Sequence, residues 1–215
     1  MNKKYIIWDW NGTLLDDVDL CLETINQLLD NYHLEPFKSM KQYREVFTFP
    51  VSDYYEEMGF DFNKTPFSQL AKEYMDMYQP SSNHCKLHDG VIDIMKYLHQ
   101  NGYHQIILSA SQIDNLKSQL NNYDITKYLD HILGIQDIHA ASKQQLASDY
   151  LKEEKIPLDQ VVFIGDSIHD FEVADVNHCD CILIANGHQS FEKLSSCGAL
   201  VLNDLKALKQ HLTLA

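Results

Sequence analysis

Tyr5-Ile6-Ile7-Trp8-Asp9-Trp10-Asn11-Gly12-Thr13 decides the fold. Four apolar residues of high β-propensity run into a carboxylate, and Asn-Gly then turns the backbone. A continuously apolar run fits a strand covered on both faces, as in a parallel sheet. Gly12 frees the backbone for a sharp turn. Asp9 then stands beyond the carboxyl end of a strand, where open α/β sheets bind their ligands. By itself the stretch is equally an ordinary turn.

The same kind of run recurs at Gln105–Leu108, His131–Leu133, Val161–Ile164, Cys181–Ala185 and Ala199–Leu202. Between the runs, apolar residues fall three and four apart, as in Val91, Ile94, Met95, Leu98 and in Ile113, Leu116, Leu120. Strands alternating with helices imply right-handed βαβ units and an α/β fold with a parallel sheet. Residues 17–85 break this rhythm. Helical patterns at Val18–Tyr32, Ser39–Phe47, Ser52–Met58 and Phe67–Tyr78 are punctuated by Pro36, Pro50, Pro66 and Pro80, with no strand among them. The segment reads as an α-helical cap inserted into a core formed by residues 1–16 and 86–215.

The other strand ends carry polar residues. Ser109-Ala110-Ser111 follows the second run; a hydroxyl there can bond a phosphate oxygen, and Ser111 also suits a helix N-cap. Lys143 sits near the start of a helix expected from about Ala141, where the helix dipole disfavours a cation. Gly165-Asp166-Ser167-Ile168-His169-Asp170 follows Val161–Ile164 and places two carboxylates four apart. Oxygen donors of this kind suit a hard cation such as Mg²⁺.

In that order, DWNGT, IILS, Lys143 and GDSIHD resemble the four motifs of the haloacid dehalogenase superfamily, and the helical segment resembles its first type of cap. Length and the phrase NGTLLDD are most similar to the phosphoglycolate-phosphatase-like branch. The resemblance implies a three-layer, Rossmann-like sheet of order 5-4-1-2-3, which brings strand tips one, two and four together. It implies Mg²⁺ held by an Asp9 oxygen, the Asn11 carbonyl and Asp166, with Asp170 as a second or water-mediated partner. Lys143, Ser109 and the backbone amides of Asn11, Gly12, Thr13 and Ala110 would then meet the phosphate. Asp9 would attack to form an aspartyl phosphate, and water would hydrolyse it.

Asn11 departs from the pattern. The family's phosphatases carry a second aspartate there, which protonates the leaving oxygen and later activates water. An amide does neither, and general acid-base catalysis contributes about 10²–10⁴-fold. A phosphatase of this kind either acts on a leaving group that needs little protonation or borrows another acid, for which His169 is the first candidate and His88 the second. The alternatives are a slow phosphotransferase and an impaired regulatory protein. A phosphonate hydrolase would need a buried cap lysine, with Lys38 and Lys41 as candidates. A dehalogenase would not need two aspartates in GDSIHD. Asp16 and Asp17 read as caps of the first cap helix, and Arg44 as a possible contact to a second anion.

Composition bounds the rest. The 215 residues carry 17 Lys+Arg against 31 Asp+Glu, a net charge of −14. Such a surface repels nucleic acid and anionic membranes. A phosphate site must therefore build its own positive charge. Five irregularly spaced cysteines read as reduced thiols. The expected protein is cytoplasmic, a monomer or weak dimer, acting on a small phosphorylated metabolite.

Overall fold

The computed structural model describes residues 3–136 and 142–214. In chain order the strands are β1 (Tyr5–Trp8), β2 (Leu15–Asp16), β3 (Lys86–Leu87), β4 (His104–Gln112), β5 (His131–Ile135), β6 (Val161–Gly165), β7 (Asp180–Ile184) and β8 (Leu200–Leu202). The helices are α1 (Val18–Asn31), α2 (Met40–Val46), α3 (Val51–Glu57), α4 (Phe67–Ser82), α5 (Val91–Gln100), α6 (Ile113–Leu120), α7 (Lys143–Glu153), α8 (Ile168–Val176), α9 (Phe191–Ser195) and α10 (Leu205–Leu214).

Six strands form one parallel sheet in the order β5-β4-β1-β6-β7-β8. The expected five-strand order is present, with one correction. The edge strand is β8, which pairs beside β7 and matches Leu202 to Ile184. It covers a backbone edge that β7, with Ile182, Leu183 and Ile184 buried, would otherwise leave open. Alternate residues of β1 face opposite layers: Ile6 and Trp8 join one core with Met95 and Ile107, whereas Ile7 joins another with Ile106 and Phe163. Burial on both faces explains why these strands read as unbroken apolar runs.

Trp8 is level with Ile107 of β4 and Ile164 of β6. Asp9, Ser109 and Asp166 therefore lie within about one residue of each other in register at the sheet's carboxyl edge, although β4 itself runs on past Ser109.

Helices α1–α4 pack around an apolar cluster of their own that includes Ile25, Leu28, Tyr43, Tyr54 and Leu70. At the two ends of this layer, β2 and β3 pair antiparallel, Leu15 with Leu87 and Asp16 with Lys86. Two residues each are too few to show an alternating pattern in sequence. Helix α4 runs through Pro80 to Ser82, where sequence punctuation suggested an end; Ser82 Oγ donates to the Gln79 carbonyl (2.9 Å) and closes the last turn. Among the described residues no helix is long and apolar enough to cross a membrane.

Candidate active site

Three strand tips and one helix start converge. Lys143, the first residue of α7, donates to Asp9 Oδ1 and, at 2.6 Å, to Asp170 Oδ1. Its burial explains a lysine where the helix dipole disfavours one: two carboxylates outweigh the dipole. Ser142 caps the helix, one residue after the expected start at Ala141, which lies outside the described residues. Thr13 Oγ1 sits 3.2 Å from Asp9 Oδ2 and 2.9 Å from Asp166 Oδ1. The other Asp166 oxygen accepts the His188 amide at 2.6 Å. Asp170 is in part the helix cap that its position allowed, since its Oδ2 accepts Ser167 N (3.1 Å) and Ser167 Oγ (2.6 Å).

Three glycines make room for this packing. A Cβ on Gly187 would lie 2.0 Å from Asp166 Oδ2, one on Gly165 2.2 Å from Asp170 Cγ, and one on Gly12 2.5 Å from Asp166 Oδ2.

Asp9, Asp166 and Asp170 place carboxylate oxygens within 4.8 Å of one another. Burial, with Asp170 and Asp166 nearby, pushes Asp9 up to about 8 despite Lys143. Burial and Asp170 push Asp166 up to about 7. For Asp170, burial acts upward but the Lys143 ammonium overcomes it and holds the carboxyl below its usual range. Burial alone would lower Lys143; Asp170 and Asp9 raise it instead. One ammonium thus faces three carboxylates. Without a further cation the crowded carboxyls resist ionising together; hard oxygen donors in such a buried cluster fit a divalent cation, whose charge would favour their ionised forms.

Asn11 is embedded in a network. Its amide donates to Asp17 Oδ2 (2.8 Å) and to Tyr78 Oη (2.9 Å), and its oxygen accepts Ser111 Oγ (2.9 Å). Tyr78 in turn donates to Asp17 Oδ2 at 2.5 Å. The site therefore uses the two N–H groups that only an amide supplies. A carboxylate here would face the buried Asp17 carboxylate.

Asn11→Asp is accordingly expected to destabilise the protein by at least about 1 kcal/mol near neutral pH. The introduced carboxyl would titrate above its unfolded value of about 4, so the penalty vanishes below that pH and grows as pH rises through the folded value. Thermal unfolding of both proteins between about pH 4 and pH 8 reads this. A difference independent of pH would show that the amide is not required for charge reasons.

Other expectations change. Ser111 does not cap α6, because β4 continues past a register shift to Gln112, whose side chain accepts the amides of Asp114 and Asn115. Asp17 does not use its side chain as a cap; besides Asn11 and Tyr78 it accepts the Gly12 amide at 2.8 Å. That amide, also directed to the Leu15 carbonyl (3.0 Å), is committed within the loop. Ser109 is buried, its Oγ accepting the Ser111 amide at 3.0 Å, and Ala110 is exposed at the cavity wall.

His88 contacts the Gly12 carbonyl through Nε2 at 3.0 Å and sits 3.7 Å from Asp16, outside the cavity lining. His169 does line the cavity, stacked on Phe49 at 4.7 Å. Arg44 is outside the cavity lining and donates to the Asn186 carbonyl (3.1 Å), while its Nε is buried without a partner. Lys38 and Lys41 are solvent-exposed, which removes them as buried reactive lysines. Tyr78 and the site role of Asp17 were not foreseen. His188 lay in a stretch expected to border the site, and it does: its ring stacks on Phe47 at 4.7 Å, Nδ1 is 2.9 Å from Tyr43 Oη, and burial holds it below its usual value.

A parallel sheet with a carboxylate cluster, a buried lysine and a helical layer above them defines a class of hydrolase. The chain belongs to the haloacid dehalogenase-like hydrolase family, whose model matches residues 6–184. A phosphoglycolate phosphatase of Pseudomonas fluorescens strain Pf-5 is 20% identical over 95% of this chain and 78% of its own length. A crystal structure of a predicted phosphatase from Clostridium acetobutylicum superposes with a TM-score of 0.84 at 20% identity, covering 99% of both chains. A haloacid dehalogenase-like family protein from Streptococcus pneumoniae gives 0.82 at 17% identity, over 98% of this chain and 99% of the other.

Proposed function

We propose that this hydrolase is a Mg²⁺-dependent phosphatase that cleaves a small phosphorylated metabolite through an aspartyl phosphate on Asp9. The observation that carries the proposal is the meeting of Asp9 with Lys143, Asp166 and Asp170 at the floor of one cavity. The resemblance to a phosphoglycolate phosphatase supports the same reaction class.

Asp9, the Asn11 carbonyl and Asp166 would hold Mg²⁺, with Asp170 behind them. Bound there, the ion offsets the repulsion between the carboxylate and the phosphate. Lys143 draws charge from the phosphoryl oxygens and fixes Asp9 for in-line attack. Ser109, Thr13 and Ala110 would border the phosphoryl group, and Gly12, its amide already bonded to Asp17, shapes the turn beside it. The Asp9 oxygen forms the new P–O bond as the ester P–O bond breaks, the leaving oxygen takes its proton from water or from His169 on the cavity wall, and water later attacks the phosphoenzyme. Residues 17–85 act as a cap that keeps bulk water out of the cavity.

Asn11 supplies no proton to the leaving oxygen. A second reading therefore follows from its bonds to Asp17 and Tyr78: the phosphoenzyme is long-lived and passes its phosphoryl group to another acceptor.

Phosphate release from a broad panel of phosphorylated metabolites, with Mg²⁺ and with EDTA, tests the proposal. Release is expected with Mg²⁺ and absent with chelator. A phosphoryl mass increment without net release would favour the transfer reading. Neither release nor a phosphoenzyme would remove both.

A further inference from the structure

Between the helical layer and the carboxyl edge of the sheet lies a cavity of about 510 Å³, with Asp9 at its floor. That is an ordinary size for a small-molecule site and exceeds what a two-carbon phosphate fills. Away from the carboxylates its wall is aromatic and aliphatic, formed by Phe47, Phe49, Tyr54, Tyr55, Tyr74 and Met75. Such a wall rewards a flat or apolar body.

Charge on the same wall points the same way. Asp9, Asp17, Asp166 and Asp170 line the cavity, and among its described lining residues Lys143 is the sole lysine or arginine. Lys143 is engaged by Asp9 and Asp170. Arg44 and Lys193 lie outside the cavity lining: Arg44 donates to the Asn186 carbonyl, with its Nε buried and unpartnered, and Lys193 donates to the carbonyls of Glu45 and Phe47. Lys38, Lys41, Lys64 and Lys72 pair with acids on the outer surface. The His188 ring is occupied by Tyr43 Oη at 2.9 Å and by stacking on Phe47, and His169 stacks on Phe49 with Glu172 at 3.4 Å. A second anion on the substrate would enter a chamber lined by four aspartates and apolar side chains, where Lys143, already bound to two of those carboxylates, is the one lysine or arginine among the described lining residues. Two polar atoms on wall residues, Tyr54 Oη and Gln79 Oε1, have no hydrogen-bond partner. The Gln79 oxygen calls for a neutral donor such as a hydroxyl.

We infer that the substrate is a phosphomonoester with an uncharged aromatic or apolar body, a hydroxyl permitted, and not one that carries a carboxylate or second phosphate. The inference rests on the phosphatase reading for its reactive end and on the cavity for the rest.

A matched pair isolates the body from the chemistry. Benzyl phosphate and para-carboxybenzyl phosphate leave as similar alcohols and differ in one distal charge. With Mg²⁺ and the full chain, kcat/KM is expected to favour benzyl phosphate by about 100-fold, chiefly through KM. Phosphoglycolate is expected to fall with the carboxylated ester. Titration calorimetry with benzylphosphonate and para-carboxybenzylphosphonate reads the cavity without turnover, and the neutral compound is expected to bind at least about tenfold more tightly. Equal or reversed preference in either assay overturns the inference, whether or not the protein is a phosphatase. Preference in binding with neither ester hydrolysed would remove the phosphatase reading and leave the cavity assignment standing.

Discussion

Asp9→Asn is expected to lower phosphatase turnover by at least about 10³-fold, because the variant has no carboxylate to attack phosphorus. The side chain keeps its size; its one oxygen can still accept from Lys143 and its NH2 can donate to Thr13 Oγ1, so the fold should survive. The measurement is phosphate release together with intact mass after incubation with substrate. Wild type should show turnover or a phosphoryl increment, and the variant neither. Turnover within about tenfold of wild type would place the nucleophile elsewhere, since a displaced nucleophile costs far more than a lost contact.

Lys143→Met should give the largest loss of stability. Lys143 is buried, and its ammonium is what holds Asp170 below its usual range against burial. Removing one partner of a buried ion pair costs about 3–5 kcal/mol, because the remaining charge is left uncompensated. The sign with pH follows from the direction of that shift. In the wild type the depressed Asp170 contributes stability above its unfolded value, and that contribution is lost as pH falls through the folded value. In the variant Asp170 would rise, so the deficit is greatest at neutral pH and shrinks on acidification. Denaturant unfolding at about pH 7 and about pH 4 reads it. Saturating Mg²⁺ should recover part of the loss by binding the folded carboxylates. A deficit that does not change with pH would mean that Lys143 acts through packing alone.

Much of the fold was legible because both of its periodicities were undiluted. β1, β4 and β6 are covered on both faces, so Tyr5–Trp8, Gln105–Leu108 and Val161–Ile164 show no polar alternation. Helices α1–α4 appear within a few residues of their patterns because their apolar faces form one cluster. β2 and β3 were invisible at two residues each, and the bulge that carries β4 to Gln112 left no mark in composition. Of the site, Asp9, Lys143, Asp166 and Asp170 could be singled out because each sits at an element boundary. Asp17 could not, because an aspartate before a helix normally reads as a cap. Tyr78 lies mid-helix among aromatics that otherwise look like core.

The sequence by itself determined the parallel α/β layering, the helical insertion and the chemical types at the strand ends, because local periodicity and strand polarity set them. It also showed that position 11 lacks an acid. What that amide does was decided only by tertiary structure. Asp17, Tyr78 and Ser111 reach Asn11 from six, 67 and 100 residues away. Packing the helical layer onto the sheet builds that network, joins Arg44 to the Asn186 carbonyl and Lys193 to those of Glu45 and Phe47, and leaves an apolar chamber above the carboxylates. Contacts between distant segments have no period, so no local pattern records them.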